Sequence, residues 1–114
     1  MNANANGVSS EACGGCVLVR LRGEVDLSWS PQVRRAVLDA LAQADAVGVD
    51  LSEVGYIDSS GIAALVEGLQ QARTHGQRFV LVAVSDAVRA VLELARLDRV
   101  FTLVASPDEV TAPA

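Results

Sequence analysis

Two adjacent hydroxyl groups, in the stretch Asp58-Ser59-Ser60-Gly61, are the side chains best placed to do chemistry in this sequence. They follow an apolar segment and open a predicted helix, where unpaired backbone N–H groups and the positive end of the helix dipole face outward. A hydroxyl at this position can cap the helix, which stabilises it by about 1 kcal/mol. It can also accept a phosphate, since first-turn amides accommodate an anion. With two serines side by side, one can cap the helix while the other stays free.

The chain contains few other residues that could take part in catalysis. All nine basic residues are arginine, which excludes a P-loop lysine and a Schiff base, and His75 is the only histidine. Neither Gly-x-Gly-x-x-Gly nor Gly-x-Ser-x-Gly occurs. Asp50 and Glu53 could form a carboxylate pair, but no nucleophile or set of metal ligands stands around them. These absences predict a protein that is not an enzyme and that uses no cofactor and no metal.

The length and net charge of the chain indicate which partners the protein can bind and where in the cell it is expected. At 114 residues the chain suffices for one domain, and its net charge of −5 opposes binding to the phosphates of nucleic acids. The longest uncharged apolar stretches are far shorter than the roughly 18 residues of a membrane span. The first residues also lack the features of a secretory signal. We therefore expect a cytoplasmic protein that neither inserts into membranes nor binds nucleic acid.

Strands and helices are predicted to alternate along the chain. Period-two or continuous apolar runs predict strands at residues 16–22, 47–51, 79–84 and 100–104. Helical stripes follow three start signals, which are Ser30-Pro31 with the serine as N-cap, Ser59-Ser60-Gly61 and Ser85-Asp86. Residues 23–30 and 54–58 are predicted as connections. This alternation predicts an α/β domain with a mixed, mostly parallel sheet of four to five strands and helices packed against it.

The two ends of the chain have weaker patterns. Residues 1–15 are predicted as a flexible N-terminus or a weak edge strand, antiparallel to the next strand if Gly14-Gly15 makes a hairpin turn. Cys13 and Cys16 flank that turn as a C-x-x-C, but the helix that follows a thioredoxin-type motif is missing, so a hairpin that can oxidise to a local disulfide is preferred. Residues 107–114 are predicted as a short tail or a partial helix.

Two stretches of the sequence resemble one protein family. Residues 17–26, Val-Leu-Val-Arg-Leu-Arg-Gly-Glu-Val-Asp, look like the strand and Gly-Glu-x-Asp loop of the STAS domain of bacterial anti-sigma factor antagonists. Residues 49–62, Val-Asp-Leu-Ser-Glu-Val-Gly-Tyr-Ile-Asp-Ser-Ser-Gly-Ile, resemble the phosphorylation motif of that family. The similarity continues through residues 97–101, and the expected STAS domain covers residues 16–106.

The resemblance implies a function and a set of site residues. In this family a partner serine kinase, which is also the anti-sigma factor, phosphorylates the serine after the aspartate. Here that serine is Ser59, with Ser60 as cap or neighbour. The unphosphorylated antagonist binds the kinase and frees the sigma factor, phosphorylation ends that binding, and a phosphatase can belong to the same cycle. The expected partner-binding residues are Asp26, Asp58, Ser59, Ser60, Gly61 and Trp29.

Two interpretations stay open beside this one. Trp29, just beyond Asp26, could be an exposed aromatic anchor for the partner, or its ring could cover the apolar end of the sheet. The whole domain could instead be the STAS subunit that packs against the ATPase of a lipid-transporting ABC system, without a phosphorylation cycle. A ligand-binding STAS module has less support, because the sequence contains no phosphate-cradling motif beyond one helix start.

Overall fold

A five-stranded sheet organises the chain. The computed structural model describes residues 6–111, and the predictions for residues 1–5 and 112–114 lie outside that part. The strands are β1 (Gly7–Ala12), β2 (Cys16–Val25), β3 (Ala46–Ile57), β4 (Arg78–Val82) and β5 (Thr102–Val104). They lie side by side in sequence order, with β1 antiparallel to β2 and all other neighbours parallel. The predicted mixed, mostly parallel sheet is confirmed.

Three helices cover one face of this sheet, namely α1 (Ser30–Leu41), α2 (Ser59–Thr74) and α3 (Asp86–Leu94). Every second strand residue packs against them, and these residues form the main hydrophobic core. Each helix starts at the carboxyl end of one strand and returns to the amino end of the next, as parallel pairing requires. The carboxyl edge of the sheet therefore collects strand ends and helix starts. Within residues 6–111, no helix is both long and apolar enough to cross a membrane.

The opposite face of the sheet carries a smaller apolar cluster, which is closed by the end of the chain. Val110 is fully buried in this cluster and follows a single 3-10 turn at Pro107–Glu109. Arg78 holds the segment in place, because its Nε donates to the Val110 carbonyl at 2.7 Å and its Nη2 donates to the Glu109 carbonyl at 3.1 Å.

β2 and β3 extend further than their sequence patterns predict. The connections predicted at 23–30 and 54–58 are wrong for residues 23–25 and 54–57, which belong to the two strands. Shifts in register along this part of the β2–β3 pair interrupt the period-two alternation, so the apolar pattern fades before the strands end. The two strands stop at the same level, where Val25 pairs with Ile57.

α1 begins without the predicted serine cap. Ser30 and Pro31 are its first two residues, Trp29 occupies the N-cap position, and no side chain caps the helix. Ser30 is buried, and its amide donates to the Asp26 carbonyl at 2.9 Å. The backbone turn before the helix thus takes the place of a side-chain cap. By contrast, Ser85 caps α3 as predicted.

The β1–β2 hairpin closes with the Gly14-Gly15 turn. Both glycines have positive φ angles, +58° and +93°, which L side chains rarely adopt, and two such residues match the right-handed twist of a hairpin. The amide of Cys13 donates to the carbonyl of Cys16 at 2.8 Å, and the two cysteines form a disulfide. The turn and the antiparallel edge strand therefore agree with the sequence pattern.

Candidate functional site

The carboxyl ends of β2 and β3 bring the predicted site residues together. Val25 pairs with Ile57, and the amide of Asp58 donates to the Val25 carbonyl at 3.0 Å. Asp26 and Asp58 therefore leave the sheet side by side, each directly after a paired strand end. Because α2 begins at the next residue, Ser59 lies at this corner as well.

Asp58, and not a serine, caps α2. Its backbone is extended (φ −102°, ψ −174°), and its Oδ1 accepts from the amides of Ser60 and Gly61 at 2.9 and 3.2 Å. The Ser60 hydroxyl donates to the same oxygen at 2.6 Å. The expectation that a hydroxyl caps this helix is therefore wrong, since Ser60 is a donor to the cap. A carboxylate also interacts more favourably with the positive end of the helix dipole than a hydroxyl does.

Ser59 carries the hydroxyl that remains free. Its side chain is exposed, and the side-chain hydrogen bonds described for this turn involve Asp58 with Ser60 and Gly61, with none from Ser59 Oγ to any residue in 6–111. The amides of Ser60 and Gly61 are occupied by Asp58. An anion on Ser59 would therefore not find these first-turn amides available, which corrects the expectation that they accommodate it.

Hydrogen bonding keeps the Asp58 carboxylate charged. The Ser60 hydroxyl is the main cause that lowers the pKa of Asp58 below its ordinary value. The amides of Gly61, Ser60 and Leu27 act in the same direction, and partial desolvation opposes them.

The two segments that meet at Ser59 carry acidic charges only. We define the acidic corner as residues 24–30 and 56–61, in which Glu24, Asp26 and Asp58 are the charged residues and no Arg, Lys or His occurs. A protein surface with basic side chains would complement this corner. Within residues 6–111, no group of three or more His, Cys, Asp or Glu side chains is placed to hold a metal ion.

Asp26 lies in a turn of its own. Its Oδ1 accepts from the amide and the hydroxyl of Ser28 at 2.9 and 2.5 Å. Its carbonyl accepts from the amides of Trp29 and Ser30, at 3.2 and 2.9 Å. Asp26 therefore orders the loop between β2 and α1 and remains half-buried beside Asp58.

Trp29 and Gly61 support the corner from inside. Trp29 is buried in the main core and its indole Nε1 donates to the Glu24 carbonyl. The interpretation of Trp29 as an exposed anchor is therefore wrong, and a ring that covers the end of the sheet fits its burial. Gly61 is also buried, and a Cβ there would lie 2.7 Å from side-chain atoms of both Val25 and Ile57. Its missing side chain lets α2 start close to the sheet.

Comparison with known proteins identifies the family of this domain. A family model described as the Mlab STAS domain matches residues 8–105, which is most of the chain. The chain belongs to the STAS domain family. The resemblance to the STAS domain is thereby confirmed at the level of the family.

Individual STAS proteins resemble this chain over most of its length. An anti-sigma-B factor antagonist from Listeria monocytogenes is 27% identical over 82 residues, which are 71% of this chain and 72% of the relative. The crystal structure of an anti-sigma factor antagonist from Mycobacterium paratuberculosis superimposes with a TM-score of 0.83 at 26% identity, covering 95% of this chain and 92% of that one. The phosphorylated form of the Bacillus cell fate determinant SpoIIAA has a TM-score of 0.72 at 22% identity, covering 90% and 95%, and shares the fold.

A short pattern that the sequence predictions missed occurs three times in this chain. Asp-x-Ser occurs at residues 26–28, 50–52 and 58–60. In each copy the aspartate Oδ1 accepts the amide of the serine two residues later at 2.9 Å. This spacing is the signature of a side-chain turn and could have assigned the cap of α2 to the aspartate.

Proposed function

We propose that this STAS domain is a phosphorylation-controlled anti-sigma factor antagonist. Unphosphorylated, it binds a serine kinase that is also the anti-sigma factor, and phosphorylation of Ser59 releases it. The observation that carries the proposal is the exposed hydroxyl of Ser59, which bonds to no residue in 6–111 and lies beside Asp58, the cap of α2. It stands where the family motif has its phosphorylated serine. The anti-sigma factor antagonists among the similar proteins support the same assignment.

The acidic corner gives the switch its physical basis. A phosphate on Ser59 would add about −1.5 to −2 charge. The neighbouring amides that could neutralise it are bonded to Asp58, so the new charge would add to those of Asp58 and Asp26. A partner that binds the unphosphorylated corner would then have to desolvate a more negative surface. A coupling of ~3 kcal/mol lowers affinity more than a hundredfold, and it requires no refolding of the domain.

The chemistry in this scheme belongs to the partner. The kinase would bind ATP and transfer its γ-phosphate to Ser59, so the STAS domain itself needs no cofactor and performs no catalysis. Asp26, Asp58 and Ser60 would contribute to the contact surface, and Gly61 would set the position of the helix that carries Ser59. A phosphatase would reset the cycle. The proposed site of action is the cytoplasm, where sigma factors act.

Mapping the phosphorylated residue tests this proposal. The protein is incubated with ATP and a purified serine kinase of the anti-sigma factor class from the same organism, and the phosphopeptide is sequenced. We expect label on Ser59, none on Ser59→Ala, and label still on Ser59 in the control Ser60→Ala, which removes the neighbouring hydroxyl that is bonded to Asp58. Label that persists on Ser59→Ala would overturn the assignment. The Ser59→Asp variant, which places a charge at the same position, should also bind the kinase more weakly than wild type.

A second function stays open beside this one. The matching family model is described as Mlab and not as an anti-sigma factor antagonist, so the STAS subunit that packs against the ATPase of a lipid-transporting ABC system is kept as the alternative. In that case Ser59 would not be a substrate for any kinase. Stable co-purification with an ABC ATPase, together with unlabelled Ser59, would select this alternative.

A further inference from the structure

A second side chain is displayed at the acidic corner in the same way as Ser59. In the turn Asp26-Leu27-Ser28, the aspartate holds the amide and the hydroxyl of the serine at 2.9 and 2.5 Å, as Asp58 holds Ser60 at 2.9 and 2.6 Å. The middle residue is left pointing out of each turn. In the second turn this residue is Ser59, and in the first it is Leu27, which is 73% exposed.

Leu27 is held on a well-anchored backbone. The Asp26 carboxylate accepts from the amide of Ser28, and the Asp26 carbonyl accepts from the amides of Trp29 and Ser30. The buried ring of Trp29 attaches the loop to the core. Because the backbone is already ordered, binding through Leu27 loses little conformational entropy, which raises the affinity that an apolar contact can give.

The acidic residues near Leu27 indicate what kind of partner surface could bind this leucine. Asp26 precedes Leu27, Glu24 lies in the strand end before it, and Asp58 leaves the sheet next to Asp26, while the acidic corner contains no basic residue. A neutral apolar surface would have to desolvate these carboxylates without compensation. A surface with an apolar pocket beside Arg or Lys side chains would bury the leucine and pair with the acids.

We propose that Leu27 is the apolar anchor by which the domain docks on its serine kinase, entering a pocket flanked by basic side chains next to the site that receives Ser59. This rests on the proposed function. Leu27 would determine affinity and positioning, whereas Ser59 takes part in the reaction. A variant at Leu27 should therefore change the strength of docking and leave the transfer step itself unchanged.

Leu94 provides a matched control, because it is another exposed leucine, 87% accessible, at the last position of α3. α3 starts near the carboxyl edge of the sheet, where the hydroxyl of Ser85 donates to the Val54 carbonyl at 2.7 Å, and it runs back toward the amino edge. Leu94 is thus displayed at the end of the domain opposite to Leu27.

The test measures binding and phosphorylation by the kinase used to map Ser59. Titration calorimetry of the unphosphorylated protein into kinase loaded with a non-hydrolysable ATP analogue gives Kd. We expect Leu27→Ser to raise Kd about tenfold or more, Leu27→Met to stay within about threefold, and Leu94→Ser within about twofold. At saturating protein, the rate of Ser59 phosphorylation should be the same for Leu27→Ser and wild type.

The other outcomes overturn either the anchor alone or the proposed function together with the anchor. If the kinase labels Ser59 of wild type and Leu27→Ser binds as tightly as wild type, the anchor is refuted while the proposed function stands. An equal loss of affinity in Leu94→Ser refutes it too, because the effect would then be unspecific. If no kinase labels wild-type Ser59, the proposed function fails and the anchor fails with it. Both leucines are exposed, so melting curves should show all variants folded.

Discussion

In the turns that follow β2 and β3, an aspartate accepts from the amide and the hydroxyl of the serine two residues later. The two turns differ in the residue that attaches them to the hydrophobic core. After Asp26-Leu27-Ser28 the chain buries the large ring of Trp29, whereas after Asp58-Ser59-Ser60 it buries Gly61, which has no side chain. A third copy, Asp50-Leu51-Ser52, lies within β3, and its middle residue is fully buried. The Asp-x-Ser bond therefore does not expose the middle residue by itself. Exposure comes from the position at a strand end, and the residue after the turn attaches the turn to the core.

Replacing Trp29 should give the largest effect on stability. Trp29→Ala removes a buried ring from the main core and should lower the free energy of unfolding by about 3–5 kcal/mol. Trp29→Phe, which keeps an aromatic ring and loses the indole bond to the Glu24 carbonyl, should cost clearly less. Urea unfolding followed by circular dichroism measures both. A loss below about 1 kcal/mol for Trp29→Ala would show that the first turn does not depend on this ring.

Adding a side chain under the second turn should give an intermediate effect. Gly61→Ala places a Cβ 2.7 Å from atoms of Val25 and Ile57, so α2 or the strand ends must shift, at about 1–3 kcal/mol. Gly55→Ala is the control, because a Cβ there meets no atom within 4 Å. The same unfolding measurement applies. If the two variants are equally stable, the close approach of α2 to the sheet is not what positions the second turn.

Acid should weaken the second turn by the smallest amount. In the folded protein the pKa of Asp58 lies below its ordinary value of about 3.9. The charged carboxylate therefore contributes its full stabilisation above the ordinary value, and this contribution is lost as the pH falls through the lowered pKa. Asp58→Asn keeps an oxygen acceptor but does not titrate. We expect wild type to melt a few degrees above Asp58→Asn at about pH 6 and the gap to shrink toward about pH 2.5.

Subtracting the two melting temperatures removes the contribution of other carboxylates. Glu67 is one of them, since its hydrogen bond to Arg34 lowers the pKa of Glu67 in both proteins. A gap that stays constant from neutral pH to about pH 2.5 would mean that the charge of Asp58 does not stabilise the helix start.

The order of strands and helices was predictable from sequence, whereas the details of the site were not. Alternating and continuous apolar runs reveal how each segment packs, and the sheet with its helices follows from them. The ends of β2 and β3 were missed because register shifts break that alternation at residues 23–25 and 54–57. The residue pattern left open which of the two serines stays free, and only the family resemblance singled out Ser59. The cap of α2 was assigned to a hydroxyl because three adjacent oxygen-bearing side chains compete for the same amides. The burial of Trp29 depends on contacts distant in sequence, which composition does not report.

The disulfide hairpin offers a practical route to studying this protein. Cys13 and Cys16 are the only cysteines in the chain, and they lie at the amino end of β2, while the acidic corner begins at its carboxyl end. The ten residues of β2, at about 3.3 Å each, separate the disulfide from the acidic corner by about 30 Å. After mild reduction, a fluorophore on Cys13, which is less buried than Cys16, would tether a reporter to the far end of the molecule and leave Ser59 and Leu27 free for a partner.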